Sequence, residues 1–333
     1  MKHETSLLKY KIPIFLMSLL ISASCFKLHA SSVHAQEVSL SLSPPLVKLT
    51  IKPGKSVLIG YRLENSGDPV IITTFVVPFK PLGTEGAIAL SNKYSGPLRF
   101  NLENAELSLN DPFFLKNKET RQLLLKISVP EDTPEGDYYY SLLNESKAPQ
   151  DSEVGTGSRA KTTIGSNILI TVSKSGQIDI KGKITKFAVN PRYQISLFGG
   201  KINLFETLDK IPIVLIVSNE GNNLITAEGT IDLVGNFGER AKYTLNAQNV
   251  LSQSQRIMQA TPSAALVSEK PASLVLTGFF IGKYKLSTSV NFGEGTPILF
   301  AGTTFYAYPI KIVLVLLITS SILIFVIKKL RQE

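Results

Sequence analysis

Carboxylates are the only side chains in this sequence crowded closely enough to do chemistry: Glu131, Asp132, Glu135 and Asp137 fall in one short stretch. Oxygen ligands at that density suit Ca²⁺, and a facing pair of carboxylates is what glycoside hydrolysis requires. The spacing fits no calcium loop, however, and Pro130 and Pro134 mark a tight surface turn. Sugar clefts lean on aromatic platforms, and the sequence has no Trp. The three histidines are His3, His29 and His34 and the single cysteine is Cys25, so neither type occurs after residue 35. A Ser-His-Asp triad, a Cys-His pair, a His-ligated zinc and an internal disulfide are therefore excluded from that part of the chain. Gly83-Thr84-Glu85-Gly86 and Gly199-Gly200-Lys201 lack the strand-to-helix setting of a phosphate loop. No enzyme, metal or cofactor is indicated. A hydrolase built on carboxylates alone is the less favoured alternative.

Candidate contact residues stand out better. The polar stretch from Glu145 to Arg159 separates two apolar segments and reads as an exposed loop. Glu145, Lys147, Asp151, Glu153 and Arg159 supply its charges and make it a candidate contact loop; a tolerated hairpin extension is the plainer alternative. In the neighbouring run Tyr138-Tyr139-Tyr140, strand geometry puts two rings on one face and one on the other, so Tyr139 is expected to be exposed and available for contact.

These residues need elements to position them, and the two ends of the sequence say where those elements lie. Residues 1–35 carry Lys2, Lys9 and Lys11 before an apolar stretch, Ile12 to Phe26, then small-residue sites ending at Ala30 and Ala35, which is the layout of a secretory signal. Residues 309–327 are almost wholly apolar; as a helix they cover ~28 Å, close to the hydrocarbon thickness of a bilayer. Lys311 precedes this run, and Lys328, Lys329 and Arg331 follow it in a basic tail, residues 328–333. Positive residues stay on the cytoplasmic side, so the expected topology is a single-pass plasma-membrane protein with an extracellular N-terminal ectodomain and a cytoplasmic C-terminus. The net charge is +9; leader and tail each hold three units, which leaves +3 between them. Nucleic-acid binding has no electrostatic warrant there.

The ectodomain reads as all-β. Val57, Ile59, Tyr61 and Leu63 alternate with more polar positions, as do Leu123, Leu125, Ile127 and Val129, the pattern of half-buried strands. A weak repeat divides the region. Asn65-Ser66-Gly67 and Asn219-Glu220-Gly221 each follow an apolar strand, and each copy later has a Gly-x-Tyr, Gly136-Asp137-Tyr138 and Gly282-Lys283-Tyr284. Asn favours local turn bonding and Gly a positive φ. A Tyr placed after such a turn resembles the tyrosine corner of immunoglobulin-like sandwiches; a plain core tyrosine is the equal alternative, and packing is its role in both. The expectation is two tandem immunoglobulin-like β-sandwiches, a membrane-distal one at 36–175 and a membrane-proximal one at 176–308, with the short joint Lys174-Ser175-Gly176 giving a stiff rod.

The leader, Leu42-Ser43-Pro44-Pro45, Ile51-Lys52-Pro53-Gly54-Lys55 before an alternating strand, Val129-Pro130 before a Gly-x-Tyr strand, a second β region and a membrane helix with a basic tail together resemble the WxL-interacting proteins of Gram-positive-type bacteria. The resemblance lies in order and length across the whole chain. It implies peptidoglycan binding by the first domain, contacts to partner surface proteins by the second, and a role in surface adhesion or assembly. The second half departs from the family's usual partner-binding domain, and no contact residue carries over. The functional expectation is a non-enzymatic bacterial cell-surface protein that binds a wall polymer, peptidoglycan, or another surface protein. A passive stalk or an accessory subunit of a membrane assembly is the structural alternative.

Overall fold

A computed structural model describes residues 37–147, 161–191, 193–197, 200–262, 271–293 and 295–331; the leader and most of the candidate loop lie outside them. Two β-sandwiches follow one another, each with its own buried core, and a helix comes last.

In the first sandwich, one sheet has the order β1 (Leu40–Ser43), β3 (Ser56–Asn65), β8 (Glu119–Ser128), β6 (Arg99–Leu102). The other runs β2 (Leu46–Ile51), β10 (Thr163–Val172), β9 (Gly136–Lys147), β4 (Val70–Leu82), β5 (Ala87–Leu90), with β7 (Pro112–Leu115) also on β4. The alternation in sequence is what the sheets use. Tyr61, Leu63, Leu123, Leu125, Ile127 and Val129 are buried between the sheets while Leu58 points out. Each such Leu or Ile contributes ~1.5–3 kcal/mol by leaving water. Pro44-Pro45 marks the step by which the chain leaves one sheet for the other: β1 pairs antiparallel with β3, whereas β2 pairs parallel with β10. Neither proline has an N–H to continue a ladder.

The second sandwich sets β11 (Gly182–Val189), β14 (Ile211–Asn219) and β17 (Ser254–Ile257) in one sheet, with β19 (Leu274–Leu276) also on β14. The larger sheet runs β12 (Tyr193–Leu197), β13 (Gly200–Glu206), β21 (Leu299–Tyr308), β20 (Gly282–Asn291), β15 (Ile225–Gly235), β16 (Arg240–Val250), β18 (Ala260–Thr261). Its core includes a knot of rings: Phe305 stacks on Tyr284 at 5.1 Å and meets Phe205 edge-on at 5.7 Å.

The Asn-x-Gly repeat is a repeated structural device. Asn65 and Asn219 are both fully buried at the ends of β3 and β14. Each side-chain oxygen accepts the N–H of the following glycine, Gly67 at 3.1 Å and Gly221 at 2.9 Å. Each side-chain NH₂ donates to two stretches of backbone, Asp68 O and Lys116 O in one copy, Asn223 O and Val250 O in the other. The reason for glycine differs from the expected positive φ, which neither residue has. A Cβ at Gly67 would strike Glu37 O and one at Gly221 would strike Asp179 O, the backbone that leads into each sandwich. Close approach of two chains, and not turn conformation, excludes a side chain.

The last strand passes through Pro309 directly into α1 (Ile310–Leu330). Its 21 residues span ~31 Å, its side chains from Ile310 to Lys329 are exposed, and it is long and apolar enough to cross a membrane. Thr319 and Ser321 donate back to Val315 O and Leu317 O, so their hydroxyls are satisfied within the apolar run. Lys328 and Lys329 sit in the last turn, where they complement the helix dipole.

Candidate binding site

The expected carboxylate cluster disperses. Glu131, Asp132 and Glu135 are exposed around their turn, and no group of three metal-ligating side chains forms among the described residues. Asp137 does something different. It follows Gly136, whose φ is +144°, and enters β9 with its carboxylate toward the second sandwich. One oxygen accepts from Thr171 Oγ1 at 2.7 Å and from Asn223 Nδ2 at 3.1 Å. The other accepts from Tyr139 OH at 2.7 Å and from the N–H of Leu224. Two of the four donors belong to its own sandwich and two to the Asn223-Leu224 turn of the next. Asn223 is itself held, its side-chain oxygen accepting Asp179 N–H at 2.9 Å.

Tyr139 is therefore not the exposed contact residue expected. The alternation does put it on the outer face, away from Tyr138 and Tyr140, but the second sandwich covers that face. Its ring stacks on Phe79 at 5.8 Å and its hydroxyl accepts Ser252 N–H at 2.8 Å. Burial, reinforced by the neighbouring Asp137 charge, holds the phenol well above the usual tyrosine range. Tyr138 donates to Pro134 O at 3.0 Å, the upstream backbone bond of a tyrosine corner. The second copy differs: Tyr284 donates to Glu239 at 3.2 Å.

A second latch joins the sandwiches. Ile257 N–H on β17 donates to Thr84 O in the β4–β5 turn at 2.7 Å, and the Arg256 guanidinium lies against Gly86, where a Cβ would collide with it. Between latch and clasp lies a cavity of about 240 Å³, lined by Leu46, Phe79 and Leu169 from the first sandwich and by Asn249, Leu251 and Arg256 from the second. Arg256 donates one bond, from Nη1 to Asn249 O at 3.1 Å. Its Nε is buried without a partner, and no carboxylate pairs with it among the described residues. Burial pulls its pKa down. A guanidinium removed from water without a counter-charge is costly, and an acceptor or anion entering the cavity would relieve that cost. The arrangement can bind such a group.

A further pocket of about 340 Å³ opens in the first sandwich between Val76, Leu109 and Phe100, with Tyr94 and Arg99 also lining it. Phe100 packs on Tyr140 at 4.7 Å. Of the proposed loop charges, Asp151, Glu153 and Arg159 lie outside the described residues. Glu145 accepts from Lys161 at 2.9 Å and lies 4.0 Å from Lys147. Since β9 begins at the junction, its other end at Lys147 is the end farther from the second sandwich.

No protein-family model matches the chain, and no curated protein does. Among solved structures the matches are distant. The class 5 fimbriae chaperone CfaA is 12% identical with a TM-score of 0.39, over 80% of this chain and 99% of that one. The E. coli chaperone DraB is 13% identical with a TM-score of 0.34, over 81% and 98%. A PapD-like domain of human CEP192 is 15% identical with a TM-score of 0.27, over 40% and 85%. These likenesses concern the all-β, immunoglobulin-like architecture alone.

Proposed function

We propose that this is a non-enzymatic cell-surface protein of the WxL-interacting kind, held by α1 in the plasma membrane with its two sandwiches outside, that binds a wall polymer or another surface protein. The observation that carries the binding reading is the cavity at the junction, where half-buried Arg256 has no carboxylate partner among the described residues and lies beside walls of mixed apolar and polar character that include Leu46, Phe79 and Leu169. Such a site favours a ligand with a carboxylate or carbonyl next to an apolar group, which peptide segments of a wall polymer and the backbone of a partner protein both supply. The sequence resemblance, the membrane-length helix and the basic residues after it support the surface location.

The test is co-sedimentation of the full chain, in detergent, with purified peptidoglycan, alongside capture of surface proteins from the same cells. Specific retention that falls at least tenfold in Arg256→Gln, and is unchanged in the Asp132→Ala/Glu135→Ala double variant, is the expected result. Loss of binding in the double variant alone would instead revive carboxylate chemistry. No retention of either ligand by folded protein would favour a passive stalk, a reading that the clasp at Asp137 also fits.

A further inference from the structure

The end of the second sandwich that meets α1 carries a ring of exposed apolar side chains. Strand direction fixes which turns lie there. β21 runs toward α1, so antiparallel β20 begins at that end, β15 ends there, and β13, parallel to β21, ends there too. The turns 207–210, 236–239 and 277–281 therefore surround the base of the helix. Contacts bear this out: Phe280 N–H donates to Thr207 O at 2.9 Å, a Cβ at Gly282 would lie 3.6 Å from the Phe237 ring, and Lys311 N–H meets the Glu206 carboxylate at 3.3 Å.

Each of these turns shows an apolar tip to the outside. Leu208 is 73% exposed, Phe237 77% and Phe279 67%. Outside α1, only one other large apolar side chain among the described residues is as exposed, Phe300 at 76%, and it lies toward the opposite end of β21. Side-chain bonds to backbone hold two of the turns: half-buried Asp209 accepts Glu206 N–H at 3.0 Å, and exposed Glu239 accepts Phe237 N–H at 2.9 Å. With the carboxylates occupied in fixing the turns, Leu208 and Phe237 are left as tips held outward on tied backbone. Tyr308 and Ile310, also exposed, continue the apolar surface into the helix.

We propose that Leu208, Phe237 and Phe279 insert into the outer headgroup and acyl boundary of the bilayer that α1 crosses, so that the second sandwich is seated on lipid by its turns as well as tethered by its helix. The inference rests on the membrane-spanning reading of α1. The partner is a lipid surface because the ring is continuous with a helix of membrane length, and apolar tips beside Tyr308 and Lys311 match what interfacial segments present to lipid. Three contacts around one tether fix orientation, which a single helix after Pro309 does not do by itself.

The absence of Trp from the sequence makes the test direct. Leu208→Trp, Phe237→Trp and Phe279→Trp each introduce the only indole, with Phe300→Trp as the solvent control and Ile318→Trp as the mid-helix control. The full chain is reconstituted in phosphatidylcholine vesicles with plain or brominated acyl chains. The expected result is blue-shifted emission, quenched by brominated lipid, at all three turn positions and at Ile318, with red-shifted, unquenched emission at Phe300. Unquenched, red-shifted emission at the three turns with quenching at Ile318 overturns the seating while leaving the anchor intact. No quenching at Ile318 overturns both. Because the three positions are read independently, failure of one variant to fold does not decide the outcome.

Discussion

Replacing Asp137 by Ala should uncouple the two sandwiches. The carboxylate accepts four hydrogen bonds, two of them from the neighbouring domain, Asn223 Nδ2 and Leu224 N–H. A hydrogen bond to a charged acceptor contributes ~1.5–3 kcal/mol. Asp137 is half-buried, so solvent screening discounts each bond to ~1–2 kcal/mol, which is ~2–4 kcal/mol for the two cross-junction bonds together. With a mid-range urea slope of ~2 kcal/mol per molar for a domain, the transition should move by ~1–2 M. The assay is urea unfolding of the full chain in micelles, followed by far-ultraviolet circular dichroism. One cooperative β-sheet transition in the parent should split in Asp137→Ala into two. A double-mutant cycle with Asn223→Ala isolates the pair, and a coupling of ~1–2 kcal/mol is expected for residues sharing one hydrogen bond to a charge. A coupling near zero, with the single transition and its midpoint unchanged, would show that Asp137 does not clasp the domains.

Tyr139→Phe should change the alkaline limb of stability. The phenol is raised by burial and by the Asp137 charge, so its stabilisation is complete below the unfolded tyrosine pKa of ~10 and declines as pH rises above it. The substitution should remove that decline while costing ~1–2 kcal/mol near pH 7, because Ser252 N–H loses its acceptor; urea midpoints between pH 7 and 11 read both effects. Gly67→Ala and Gly221→Ala should each destabilise their own sandwich by ~1–3 kcal/mol through overpacking against backbone. Thermal unfolding checks this, and unchanged midpoints would refute the close-approach account.

The strands that the sequence shows most plainly are those with one face in a core and one in water. β3 and β8 alternate because Tyr61, Leu63, Leu123 and Leu125 must all turn inward. The same signal cannot tell water from a second domain on the outer face. Tyr139 alternates as expected and is nevertheless covered, because its cover, Ser252 and the Asn223 turn, lies about a hundred positions along the chain. Asp137 likewise reads as one acid in a cluster of four, and only its position at the start of β9 sets it apart. Arg256 carries no sequence signal at all. Its significance comes from Gly86 lying against it and from the cavity it shares with Leu169, and nothing local to β17 records that. The Asn-x-Gly repeat is visible as a pair, but its cause is a contact with the chain leading into each sandwich.

The clasp and the cavity are parts of one interface, and this links binding to domain alignment. Asp137, Tyr139 and Asn223 close one region of it, Thr84 and Ile257 another, and the cavity walls are drawn from both sandwiches. A ligand touching Leu169 and Arg256 together needs the sandwiches held as they are, so it binds the aligned state more tightly than a separated one. Its binding free energy then adds to the clasp in proportion to RT ln(1 + [L]/Kd). The same linkage runs in reverse. Loosening the clasp at Asp137 should weaken binding at Arg256 without touching the cavity, because the fraction of molecules with both walls in place falls. A purely passive stalk would have its clasp but show no such coupling.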